Sequence, residues 1–290
     1  TALFDFDNDG DLDVYLLQGS LLGKETSLKD SIYPPADTPR DQLFRNDLVT
    51  DPSGESRITF VNVTDESGID ATGYGMGAAV TDFNHDGWQD IYITNWGDNQ
   101  LWQNKGDGTF VDVTSQAGVS SSQWGTSAVF ADINQDGWDD LYITNYITFG
   151  YDTHRPCYLT NGALGYCGPK SGVAEPDRLF LNQQDGTFKD ISAVSGIAQK
   201  PEAGLGVLVR DFNGDNWIDI YVANDAGHNQ LWINQQDGTF TEEALIRGCA
   251  CNIDGFAEGS MGVDAADIDG DGDEDLVMGH WAEETNTVYL

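Results

Sequence analysis

The chain has 290 residues, 39% hydrophobic and 11% aromatic, enough apolar surface to bury a core and to exclude a disordered chain. Against 49 Asp and Glu stand 13 Lys and Arg, a net charge of -36 whose field repels phosphate backbones and anionic membranes, so nucleic acid is excluded as a partner. The acid lies in short clusters at recurring intervals rather than in one tail, and that spacing points to local sites for cations.

The chain opens on Thr1-Ala2-Leu3-Phe4-Asp5, already inside a repeat, so removal of an export signal is expected. Apolar runs such as Leu205 to Val209 are strand-sized, and no membrane span is expected. The second copy of the repeat is the clearest. Gly77-Ala78-Ala79-Val80-Thr81 leads into an acidic loop, Asp82 to Asp90, and then into Ile91-Tyr92-Ile93-Thr94-Asn95. Next come Asn99 to Asn104 and the turn Gly106-Asp107-Gly108 before a last run from Thr109 to Thr114. Leu179-Phe180-Leu181-Asn182 with Asp185-Gly186, and Leu231-Trp232-Ile233-Asn234 with Asp237-Gly238, repeat the same order. Asp-Gly between alternating apolar runs signals a hairpin, because both residues tolerate positive φ. Val, Ile, Tyr, Thr and Phe on the flanks favour strands, and no segment has a sustained helical period.

Four short antiparallel strands in about 45 to 50 residues is the size of a propeller blade. The expected fold is therefore all-β, a β-propeller of four-stranded blades with calcium-binding hairpin loops. One domain over 1–290 is expected, with repeats at about 1–70, 71–120, 121–200, 201–257 and 258–290. The fifth repeat stops before its fourth strand, which suggests an edge open to homo-assembly. Insertions at about 21–40 and 148–176 follow the second strand of their units and would share one face, where a protein or glycan ligand is expected. Cys157 and Cys167 bracket a loop that a disulfide would staple. Disulfide, free thiol and metal all remain open for the four cysteines, Cys249 and Cys251 included. The sequon Asn62-Val63-Thr64 falls on a predicted strand.

The acidic loop, D-x-[DN]-x-D-[GN]-x-x-D, occurs five times. Positions one, three, five and nine are Asp5, Asp7, Asp9 and Asp13, then Asp82, Asn84, Asp86 and Asp90, then Asp132, Asn134, Asp136 and Asp140. The last two sets are Asp211, Asn213, Asp215 and Asp219, and Asp267, Asp269, Asp271 and Asp275. Alternate side chains of a curled loop point inward, so their oxygens converge. Gly10, Gly87, Gly137, Asn216 and Gly272 at position six accept a left-handed turn, after which position seven offers its carbonyl, from Asp11, Trp88, Trp138, Trp217 or Asp273. Six or seven hard oxygens suit Ca2+, at about five sites; zinc would want nitrogen or sulfur. An EF-hand would need Glu at position twelve, where Leu16, Ile93, Ile143, Val222 and Met278 stand instead.

On these blocks, with Asp107-Gly108-Thr109-Phe110 and Val113-Thr114 through Gly118-Val119, the chain resembles the FG-GAP/VCBS repeat family. It is most similar to the cartilage acidic protein family, and comparable blades occur in integrin α-subunit propellers. The resemblance implies a secreted or cell-surface propeller, often of seven blades, that binds calcium and mediates contacts. Here five units are visible, and the FG…GAP signature is approximated by Gly75-Met76-Gly77-Ala78-Ala79.

The histidines His85, His154, His228 and His280 are scattered, and no nucleophile elbow occurs, so no catalytic residue is expected. The reading is a secreted, non-catalytic adhesion, matrix-contact or self-assembling module. The alternative is an extracellular polysaccharide enzyme with its chemistry on the loops from Tyr151 to Lys170. Trp88, Trp138 and Trp217 recur where blade packing explains them, whereas Trp96, Trp124 and Trp281 are irregular and could face a ligand.

Overall fold

Runs of β-branched and aromatic residues cut by Asp-Gly turns give short antiparallel sheets throughout the computed structural model. It describes residues 1–21, 27–31, 33–35, 38–150, 152, 155–282 and 284–290. The first sheet runs β1 (Ala2–Phe4), β2 (Asp13–Leu16), β3 (Gln42–Thr50), β4 (Ser56–Asn62). The second runs β5 (Tyr74–Thr81), β6 (Asp90–Trp96), β7 (Gln100–Asn104), β8 (Phe110–Asp112). In the third, β9 (Gly125–Ala131) and β10 (Asp140–Asn145) are followed by a small hairpin, β11 (Cys157–Tyr158) and β12 (Leu164–Gly165). The sheet is then completed by β13 (Arg178–Asn182) and β14 (Phe188–Asp190). The fourth runs β15 (Gly204–Arg210), β16 (Asp219–Asn224), β17 (Gln230–Asn234), β18 (Phe240–Glu242), and the fifth β19 (Ser260–Ala266), β20 (Asp275–His280), β21 (Thr287–Tyr289). Each strand pairs with the next in its sheet. This is the all-β, propeller-type arrangement that the repeats predict.

Helix is confined, among the described residues, to single turns. Three are α-helical: α1 (Thr64–Ser67), α2 (Thr114–Ala117) and α3 (Ala244–Arg247), each stopped by a left-handed glycine at Gly68, Gly118 or Gly248.

The chain packs as two compact units. Unit 1 comprises Thr1–Ser122 with Asn182–Lys189, and unit 2 comprises Gln123–Leu181 with Asp190–Leu290. In unit 1, Phe4, Phe6, Tyr15, Leu43, Ile91, Ile93 and Trp102 of the first two sheets form one core. Unit 2 holds one core around Tyr142, Leu179, Ile220 and Trp232, and another around Tyr221, Leu231, Leu276 and Met278. Strands β9, β15 and β19 run side by side in unit 2. Their approach is close: a Cβ on Gly206 would lie 2.7 Å from the Met261 carbonyl, so only glycine fits there.

One tyrosine on each second strand from β2 to β16 is buried whole: Tyr15, Tyr92, Tyr142 and Tyr221. Burial of a phenol requires a partner for its hydroxyl. Tyr15 donates to Asp41 and Tyr142 to Asp177, while Tyr92 and Tyr221 donate to the carbonyls of Val119 and Cys249.

Cys157 and Cys167 form the disulfide that closes the third-sheet insertion, with Cα atoms 5.2 Å apart, while Cys249 and Cys251 are free thiols. Tyr151 and His154, and residues 22–26, 32, 36 and 37 of the first insertion, lie outside the described residues.

Candidate metal centres

Each acidic loop joins the first two strands of its sheet, and the same bonds curl it five times. The carboxylate at position one closes the curl by accepting the amide of position six. Gly10, Gly87, Gly137, Asn216 and Gly272 donate to Asp5, Asp82, Asp132, Asp211 and Asp267 at 2.7–3.2 Å. The carboxylate at position five accepts the amide of position seven, so Asp11, Trp88, Trp138, Trp217 and Asp273 donate to Asp9, Asp86, Asp136, Asp215 and Asp271 at 2.8–3.0 Å. Position six is left-handed throughout, with φ from 66° at Asn216 to 98° at Gly272.

Position four is left-handed as well, which the sequence reading missed. Asn8, His85, Gln135, Gly214 and Gly270 take φ between 55° and 80° there. Asn and Gly are the types that signal this conformation, but His85 and Gln135 conceal it.

The ninth-position aspartates are the buried members of the set: Asp13, Asp90, Asp140, Asp219 and Asp275. Their carboxylates tie the loop to the sheet. Asp90 accepts the Phe83 amide at 3.2 Å and the Asn104 amide at 2.8 Å; Asp13 and Asp219 hold the equivalent pairs. In the fifth loop, Asp275 accepts from Ile268. Burial pushes the Asp90 carboxyl up to about 8, and those of Asp13 and Asp219 up to about 6, with the neighbouring loop carboxylates adding to the rise. Such a site favours either a proton or a cation.

The residues fit calcium on two counts. In the first and fifth loops, one oxygen each from Asp5, Asp7 and Asp13, and from Asp267, Asp269 and Asp275, lie within 4.8 Å of one another. Asp7 Oδ1 is buried with no hydrogen-bond partner among the described residues. An oxygen so placed gains from a hard cation. In the middle three loops position three is an amide, and the Oδ1 atoms of Asn84, Asn134 and Asn213 accept the amide of position five at 2.9–3.1 Å. Bound calcium would neutralise the clustered charge and take oxygens as ligands; the curl, the burial and the inward side chains are supplied by the protein.

Neighbouring loops are also linked. In unit 1, Asn8 donates to the Gly87 carbonyl at 3.0 Å, and Asn104 on β7 reaches the Phe6 carbonyl at 2.7 Å. In unit 2, Gln135 donates to the Asn216 carbonyl at 2.6 Å, and Asn234 on β17 reaches the Ile133 carbonyl at 2.8 Å. Asn104, Asn182 and Asn234 end β7, β13 and β17, and this recurrence in the sequence is the signal of their role. Trp88 covers the β7–β8 turn so closely that a Cβ on Gly106 would lie 2.5 Å from the indole Nε1, which is a packing contact. Asn62, exposed at the end of β4, accepts from the Thr64 amide and hydroxyl.

Propeller-type sheets, each opening on a carboxylate loop, define a repeat protein of the FG-GAP class. The model of the FG-GAP-like repeat matches residues 82–143, 167–222 and 211–278, more than half of the chain, and the protein belongs to that family. It is 33% identical over 125 residues to cartilage acidic protein 1 of Mus musculus, an alignment covering 43% of this chain. The chain spans about a fifth of that relative's length, 19%. Among solved structures, an Agrocybe aegerita lectin that recognises non-reducing terminal N-acetylglucosamine is 16% identical with a TM-score of 0.45, over 95% of this chain and 59% of its own. A Trypanosoma rangeli sialidase is 8% identical with a TM-score of 0.45, over 96% and 42%. Among the described residues no helix is long and apolar enough to cross a membrane.

Proposed function

We propose that the protein is an extracellular, calcium-loaded contact module without catalytic chemistry of its own, binding a protein or glycan ligand through the segments that follow its second strands. The observation that carries the reading is the loop geometry, with buried ninth-position aspartates and the unpartnered Asp7 Oδ1 among converging carboxylates. Membership of the FG-GAP-like family supports it, as does similarity to cartilage acidic protein 1. A disulfide in the third-sheet insertion suits an oxidising compartment, where calcium is abundant.

Calcium is structural on this reading. Binding to the folded state alone stabilises by about 1 to 3 kcal/mol per site when free calcium exceeds Kd by about 10- to 100-fold. Thermal melts in calcium and in excess EDTA test it: chelation is expected to lower the melting temperature by 10 °C or more, on the order of several sites acting together. An unchanged melt would contradict it.

A further inference from the structure

Among the outer strands of the first four sheets, β4 departs from the rest. β8, β14 and β18 have three residues each, whereas β4 has seven. In the second and fourth sheets the outer ladder ends at the pairs Asn104–Phe110 and Asn234–Phe240. The equivalent pair in the first sheet is Asn46–Phe60, and there the ladder runs on through Asp47–Thr59 and Leu48–Ile58 to Thr50–Ser56. The result is a two-stranded ribbon, closed where the Asp51 amide donates to the Glu55 carbonyl at 2.9 Å. Its base is fixed by Asp11, whose Oδ2 accepts the Leu48 amide at 3.3 Å.

A free sheet edge offers a row of N–H and C=O groups to any strand, so folded proteins keep edges short, bulged, charged or broken by proline. β4 uses almost none of these devices. It has no proline, its pairing with β3 has no register shift, and Arg57 is its one charged residue. Among the described residues no strand lies beyond it. Leu48 and Ile58, opposite each other on the ribbon, are 47% and 60% exposed. A two-stranded ribbon left in water on both sides is marginal, and a further strand along its edge stabilises it.

The strand's own sequence selects the occupant. Laid antiparallel on a second β4 about a two-fold axis at Thr59, all seven residues find a partner. Thr59 then meets Thr59 of the copy, Ile58 meets Phe60, Arg57 meets Val61 and Ser56 meets Asn62. No charge faces a like charge, and Thr–Thr and β-branched–aromatic pairs are favourable cross-strand neighbours. An axis at Arg57 would instead set two guanidinium groups against each other. Opposite residues share a face, so Leu48, Ile58 and Phe60 of both copies would form one apolar strip. Charge points to the same place. The chain carries -36, but between 45 and 62 two arginines stand against three carboxylates, so copies repel each other little at the ribbon. We infer that β4 is a homodimerisation edge, at which the first sheets of two copies join antiparallel into one continuous sheet. The inference does not rest on the contact-module reading.

Sedimentation velocity of the calcium-loaded chain over a concentration series tests it. A monomer–dimer equilibrium is expected, and it should tighten as salt screens the charge of -36 on each copy. Thr59→Lys and Thr59→Glu each place like charges across the axis and should each weaken the dimer about 10-fold or more. Mixed in equal amounts, the two variants should associate at least as tightly as the parent chain, which also shows that both are folded. Ile58→Thr, at an exposed position, should weaken the dimer several-fold and keeps the test valid if the charged variants fail to fold. A chain that stays monomeric at every concentration and salt would overturn the inference. So would folded Thr59 variants that dimerise like the parent or stay apart when mixed, or an Ile58→Thr dimer as tight as the parent's.

Discussion

Asp90 shows what the ninth-position carboxylates of the first, second and fourth loops do before any cation is considered. It is buried and accepts two backbone amides, one from its own loop and one from the third strand. Asp90→Ala would leave both amides unpaired and should cost about 3 kcal/mol in denaturant melts without calcium, and more with calcium present. At Gly10 a Cβ meets nothing within 4 Å, yet φ is 93°. Gly10→Ala should therefore cost about 1–2 kcal/mol through backbone strain alone, and calcium affinity at the first loop should fall with it. Titration follows from the same burial. Asp13, Asp90 and Asp219, and with them Asp41 and Asp177, have folded-state pKa values raised above 3.8, to between about 6 and about 8. The folded chain thus holds more protons than the unfolded chain in that window. Stability is full below about pH 4 on this account and is lost as pH rises through about 6 to 8. Metal-free protein should melt at higher temperature at pH 5 than at pH 8, and calcium should reduce the difference by the share of Asp13, Asp90 and Asp219, leaving that of Asp41 and Asp177; a metal-free melt that rises toward pH 8 would contradict this. The left-handed sixth position was legible, because four of its five residues are glycine. The left-handed fourth position was not, since side-chain type at His85 and Gln135 gives no sign of it.

Strands and turns were the most legible elements, because a period of two and Asp-Gly dipeptides are local signals. Their lateral contacts were not. Asn234 lies 101 residues from the Ile133 carbonyl that it meets in unit 2, and no local pattern encodes that partner. The bond joins the third acidic loop to the fourth sheet, and Gln135 joins that loop to the fourth loop. Adjacent loops should therefore order together. Asn234→Ala removes donors to the Ile133 and Ile218 carbonyls and should cost about 1–3 kcal/mol. It should also weaken calcium at the third loop by calorimetry, although no proposed ligand is altered. An unchanged calcium isotherm would show the loops to be independent.

For the whole molecule, the acid distribution carried most of the information. A net charge of -36 gathered in loops of fixed spacing, rather than in a tail, is destabilising through self-repulsion unless cations share it. Family membership and fold followed from the repetition of those loops, and one disulfide pair from the bracket that Cys157 and Cys167 make around an insertion. The central claim is that all five loops hold calcium. Metal content by mass spectrometry after equilibration in calcium and buffer exchange, paired with calorimetric titration of the chelated protein, measures it directly. About five calcium ions per chain are expected, falling by one in Asp132→Ala. Fewer than two per chain, or a stoichiometry unmoved by that substitution, would contradict the account.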